Sequence, residues 1–184
     1  MRVTAILISL CSIFVLSSCS WLYGVHQPAL HRKLSKQDLP VALQNCPLAF
    51  PGSAFLQRIT TCTTDANFKH DLKQPLQLWI FEDGRLVANT VNCYASGFPN
   101  LQWNLATLYQ QRIINTSFIG GTPPDKAIFE KIFGIVLPAQ GKIVVIVSSR
   151  FMGRQNKRFL KAVAELKKQA GFECYVFGAY SIYR

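Results

Sequence analysis

The side chains best suited to covalent or redox chemistry in this sequence are six cysteines: Cys11, Cys19, Cys46, Cys62, Cys93 and Cys174. A thiolate is a nucleophile and a metal ligand, and two thiols can join as a disulfide. No two of the six have the Cys-x-x-Cys spacing that metal ligation or dithiol chemistry commonly uses. Cys11 falls inside an apolar N-terminal stretch and Cys19 closes it. The other four suit two disulfides in an oxidising compartment, with three pairings open, or four buried free thiols. Other catalytic patterns are missing: there is no G-x-S-x-G, H-E-x-x-H, phosphate loop or G-x-G-x-x-G. Gly120-Gly121-Thr122 lacks a following lysine and reads as a turn. His26, His31 and His70 fall in expected loop or tether, and the neighbours His70 and Asp71 read as loop. Glu82 and Asp83 read as turn residues. The balance favours a non-enzymatic protein with no metal and no cofactor. A thiol-dependent redox protein using two of Cys46, Cys62, Cys93 and Cys174 is the alternative.

The N-terminus explains the first two cysteines. Arg2 precedes an apolar run of 12 residues at 5–16, AILISLCSIFVL. That is short for a ~30 Å hydrocarbon core, which needs about 20 residues, and fits the apolar region of a signal peptide. Leu16-Ser17-Ser18-Cys19 follows and resembles the bacterial lipobox: an apolar residue, two small residues, then cysteine. The resemblance implies that residues 1–18 are a signal peptide, that the Cys19 thiol takes a diacylglycerol, and that the new amine takes a further acyl chain such as palmitate. Two or three chains, at ~0.8 kcal/mol per buried CH₂, hold a protein on a membrane far better than one. Ser20 resembles the outer-membrane sorting pattern. The expected address is the bacterial cell envelope, on the outer membrane.

Charge and composition narrow the partners. The chain carries 20 Lys and Arg against 9 Asp and Glu, a net charge of +11, and Arg2 is the leader's only charged side chain. An apolar fraction of 49% with 16% charged residues excludes a disordered chain. On an envelope surface the anions at hand are lipid head groups, glycan and acidic protein rather than nucleic acid. General solubility charge is the plainer reading of the same excess.

The elements that must position these residues form one α/β domain at 39–184, behind Cys19 and a basic tether ending at residue 38. The tether carries His31, Arg32, Lys33 and Lys36. Asp38 suits the cap of a short helix to about Asn45, with Pro40 in its first turn. Residues 55–64, FLQRITTCTT, are rich in β-formers and predict a strand, and 65–75 a polar loop. Residues 76–81 and 85–93 flank Glu82-Asp83-Gly84 and predict a β-hairpin. Asn100 precedes Leu101, Leu105 and Leu108 at helical spacing. Thr122-Pro123-Pro124-Asp125 predicts the start of a helix ending at Phe133, with Gly134 as its stop. The C-terminal third predicts a β-α-β unit: a strand at 142–149, a helix ending at Ala170, and a parallel strand within 172–183. The helix has an inner stripe of Phe159, Val163, Leu166 and Ala170. Its other side carries Arg154, Lys157, Arg158, Lys161 and Lys168, a candidate docking face for an anionic partner.

The lipobox, the hairpin at Phe81-Glu82-Asp83-Gly84 and the strand-helix end together resemble small envelope lipoproteins with a thioredoxin-like domain. The resemblance implies a small mixed sheet on a thioredoxin-like scaffold. It departs where thioredoxins do their chemistry: Ser148-Ser149-Arg150-Phe151-Met152-Gly153 has no cysteine, and no proline follows Pro138.

Overall fold

The computed structural model describes residues 33–50, 54–92, 104–114 and 125–179. The expected signal peptide, Cys19, most of the tether, Cys93 and Thr122 lie outside those residues.

The sheet is built around a tight hairpin. Strand β2 (Leu76–Glu82) turns into β3 (Arg85–Asn92) through Asp83 and Gly84, whose φ angles are 47° and 79°. Two successive residues with positive φ make the turn whose twist matches the flanking strands. The Asp83 carboxylate accepts from the Gly141 N–H at 2.9 Å, pinning this turn to the loop before β4 (Lys142–Ser148). Strand β4 lies antiparallel to β2, with Ile80 opposite Val144. Beyond it, β5 (Glu173–Gly178) runs parallel to β4, with Ile146 opposite Val176. The two-residue β1 (Leu48–Ala49) completes the order β1-β5-β4-β2-β3.

Both faces of this mixed five-stranded sheet are covered, which is why β2 and β4 read as near-continuous apolar runs. Alternation along each strand sorts the side chains into two cores. Leu78, Ile80, Val144, Ile146 and Val176 face the long helix α6 (Gly153–Ala170), joined by Leu34, Leu39 and Leu43 of the N-terminal segment and by Leu105 and Leu108 of α4 (Leu105–Gln110). Trp79, Phe81, Val145, Val147 and Phe177 face α2 (Phe55–Cys62), α3 (Ala66–Leu72) and α5 (Lys126–Phe133). Phe129 sits at the centre of this second core, with ring centroids 4.9 to 5.9 Å from Trp79, Phe81, Phe68 and Phe133.

The hairpin, the β-α-β unit and the stop at Gly134 (φ 69°) stand as expected. Two expectations do not. Residues 55–62 are helix, not strand: Phe55 and Ile59 lie four apart and are both buried, so one apolar stripe outweighs the β-forming residues around it. The Thr61 hydroxyl returns to the Gln57 carbonyl one turn back, at 3.1 Å. The expected polar loop contains α3, capped by Asp65, whose carboxylate accepts from the Phe68 N–H at 2.9 Å. Phe68 and Leu72 bury its inner side.

Smaller boundary differences follow from local bonds. Asp38 does not cap the expected short helix; it closes a 3₁₀ turn, accepting from the Ser35 N–H at 2.8 Å, and Pro40 precedes α1 (Val41–Gln44) instead of lying in its first turn. Asn104 caps α4, and Asp125 caps α5. Leu34 is already buried, so the chain packs on the domain before residue 39.

Candidate functional site

Two features of the α6 layer bring chemistry-bearing residues together. The first is a thiol pair. Cys46 follows α1 in a turn closed by its own N–H on the Leu43 carbonyl at 3.0 Å. Cys174 lies on β5 opposite Val144, so its side chain falls in the same core as Cys46. The Val176 N–H donates to the Pro47 carbonyl at 2.9 Å, which brings the chain at Cys46 alongside the strand that carries Cys174. Lys167, near the end of α6, donates to Cys46 Sγ at 3.3 Å and to the Ala42 carbonyl at 3.0 Å.

The electrostatics divide the pair. The hydrogen bond from the Cys174 thiol, with the Lys167 hydrogen bond and charge and the Lys36 charge added, holds Cys46 down at about 6, against the opposing effect of burial. Cys174 is pushed well above the ordinary thiol range, first by that same hydrogen bond and then by burial. Both directions favour the thiolate at Cys46 over Cys174. The residues are only 2% and 4% exposed.

Of the four cysteines expected to form disulfides, Cys46, Cys62 and Cys174 are free thiols, and no disulfide forms among the described residues. Cys62 packs on the second core, so the sheet separates it from the pair. Sequence reading offered no signal for Cys46 with Cys174, because the contact is made by tertiary packing of residues far apart in the chain.

The second feature is the cationic face expected on α6. Arg154, Lys157, Arg158, Lys161 and Lys168 are all exposed. At 3.6 residues per turn they fall within roughly 100° of the helix circumference. Glu165 lies in the same arc and pairs with Lys168 at 3.3 Å. Beside them runs an open groove of about 380 Å³ between α6 and the start of α4, where Leu105, Ala162 and Leu166 give an apolar floor and Arg158 and Lys161 a cationic wall.

The other residues with candidate chemistry stay apart. His70 lies on α3 with its Nε2 3.1 Å from Gln74 Nε2 and its Nδ1 3.5 Å from Asp71, away from the thiols. Glu82 is more than a turn residue. Its carboxylate accepts from the Tyr109 hydroxyl and, at 2.6 Å, from Arg112, tying the hairpin to the end of α4. At the junction of β4 and α6 the Ser148 hydroxyl donates to Asn156 at 2.5 Å, both side chains buried. Among the described residues no three His, Cys, Asp or Glu side chains converge as metal ligands, and no helix is long and apolar enough to cross a membrane.

No family model, curated protein or solved structure matches this chain.

Proposed function

We propose that this protein is an exported envelope lipoprotein, anchored through acyl chains on Cys19, whose domain rests on anionic lipid head groups through Arg154, Lys157, Arg158, Lys161 and Lys168. It acts as a binding module rather than an enzyme. The lipobox-like Leu16 to Cys19 and the apolar stretch before it support the anchor, and Ser20 supports the outer-membrane address. The observation that carries the docking face is the course of the N-terminal segment. Asp38 lies 3.5 Å from Arg150, just before α6, and Ala42 accepts from Lys167 near the end of that helix. The segment follows α6 along its length, so the chain leaves the domain in the same layer as the cations.

Residues 20–32 can span about 40 Å at ~3.3 Å per residue, enough to let α6 meet the surface that holds the anchor. Each cation near an anionic surface adds ~1 kcal/mol, so five supply a binding increment of a few kcal/mol that salt weakens. The scaffold in this reading is thioredoxin-like without the dithiol. A hairpin and a β-α-β unit sharing one mixed sheet support it.

Flotation with vesicles tests the docking face, using mature protein with Cys19→Ala so that acyl chains contribute nothing. Binding to phosphatidylglycerol vesicles, absent from phosphatidylcholine vesicles and lost in Lys157→Glu/Arg158→Glu/Lys161→Glu, is expected. A triple variant that floats like its parent overturns the lipid-docking reading, as does binding only to an acidic glycan or protein. Labelling with a fatty-acid probe in cells tests the anchor: the wild-type chain takes label and the Cys19→Ala chain does not.

A further inference from the structure

We propose that Cys46 and Cys174 form a reversible dithiol-disulfide centre for small oxidants of the peroxide class, with Cys46 reacting first and Cys174 resolving the product. This lies beyond the docking function and stands without it.

The geometry assigns the two roles. The Val176 N–H donates to the Pro47 carbonyl at 2.9 Å, which ties the chain just after Cys46 to the strand that carries Cys174, and both side chains lie in one core. Lys167 Nζ donates to Cys46 Sγ at 3.3 Å, whereas Cys174 feels that cation only through its field, so the charge favours a thiolate at Cys46 over one at Cys174. The charged and titratable groups that act on Cys46 come from each neighbouring element: Lys167 on α6, Lys36 on the 3₁₀ turn and Cys174 on β5. With so little of either residue exposed, a folded protein disulfide has no approach, whereas a molecule the size of peroxide needs only a minor opening. Cys62 lies across the sheet and is out of range as a competing partner.

The chemistry closes with peroxide alone. The Cys46 thiolate attacks one peroxide oxygen; an S–O bond forms, the O–O bond breaks, and the departing hydroxide takes a proton from Lys167 or solvent to leave as water. Cys46 is then a sulfenic acid. Cys174 gives up its proton and attacks that sulfur; an S–S bond forms, the S–O bond breaks, and a second water leaves. One peroxide is reduced and two thiols are oxidised. A small dithiol such as dithiothreitol returns the pair to its reduced state by exchange.

The test uses full-length mature protein, reduced and then treated with equimolar hydrogen peroxide. Peptide mapping is expected to find Cys46 joined to Cys174, with Cys62 and Cys93 unmodified. The Cys174→Ser variant should accumulate a dimedone-reactive sulfenic acid at Cys46. Lys167→Met should slow the reaction roughly tenfold at neutral pH by lowering the thiolate fraction, and should move the pH profile of the rate upward from about 6. Thiolate absorbance of the wild-type protein across pH gives a reading that needs no variant to fold. Three results overturn the proposal: oxidation spread over Cys62 or Cys93 with the pair unlinked, no thiolate below pH 7, or a Cys46–Cys174 bond that dithiothreitol leaves intact under native conditions.

Discussion

Gln77 and Trp79, two residues apart on β2 and both fully buried, hydrogen bond to each other: the Trp79 indole N–H donates to Gln77 Oε1 at 3.0 Å. The Gln77 amide nitrogen turns the other way and donates to the carbonyls of Leu72 at 2.9 Å and Gln74 at 2.6 Å. One side chain thus satisfies the end of α3 and a core indole together, in a place where water cannot substitute.

Replacing it exposes what it satisfies. Gln77→Leu keeps the volume but strands the indole N–H and two carbonyls, each a buried group whose lost bond costs ~1–3 kcal/mol. The expected destabilisation is about 3 kcal/mol, read as a lowered midpoint in denaturant unfolding. A shift under about 0.5 kcal/mol, the size usual for surface changes, would mean that the network carries little.

The clamp at the other end of β2 sets a pH window. Glu82 is held below its ordinary 4.5, chiefly by the Tyr109 hydroxyl and then by Arg112. Its folded value is the lower one, so the clamp's contribution is present above 4.5 and is lost as pH falls through the folded value. Tyr109 is raised above 10.0, by burial first and the Glu82 contact next, so its contribution is present below 10.0 and is lost as pH rises past the folded value. Tyr109→Phe should cost about 2 kcal/mol at pH 7, as bonds to charged groups do, and should flatten the acid limb of stability against pH. An acid limb identical to wild type would assign that limb to other carboxylates.

Phe129 touches four aromatic rings of the second core, and its side chain is fully buried. Phe129→Ala should destabilise by about 3–5 kcal/mol through lost transfer energy and the cavity left behind, with Phe129→Leu well below that. Thermal unfolding of the two variants side by side checks the order.

Asp65→Ala tests the helix that reads as loop. Removing the carboxylate that accepts from the Phe68 N–H should cost ~1 kcal/mol, and Asp65→Asn much less. Equal effects of the two changes would locate the cost in the lost charge rather than in the cap.

The parts of the fold legible in the sequence are those where one pattern dominates. Strand β4 is long and apolar, the hairpin carries glycine where φ is positive, and α6 repeats its apolar positions over eighteen residues. Its exposed cations were legible for the same reason. Helices α2 and α3 were not, because each is under nine residues and buries only two side chains, too few for a period to outweigh Thr60, Thr61 and Thr63 or the polar run around His70. The thiol pair was illegible for another reason. Spacing rules detect ligands that share a turn, whereas Cys46 and Cys174 meet because α1 and β5 pack under the same helix.

The course of the N-terminal segment also decides how the domain answers tension. A pull on the residues before Leu34 first meets the buried Leu34 and the Asp38–Arg150 pair, then Leu39, Leu43 and the Lys167 bond, and reaches the two-residue β1 only afterwards. Such contacts yield one after another, so the segment unzips from α6 while the four longer strands keep their pairing. Unzipping to residue 46 pays out about 40 Å of extra leash. A joined Cys46 and Cys174 would fix the far end of that leash to the sheet, so a mechanical load could not travel past it.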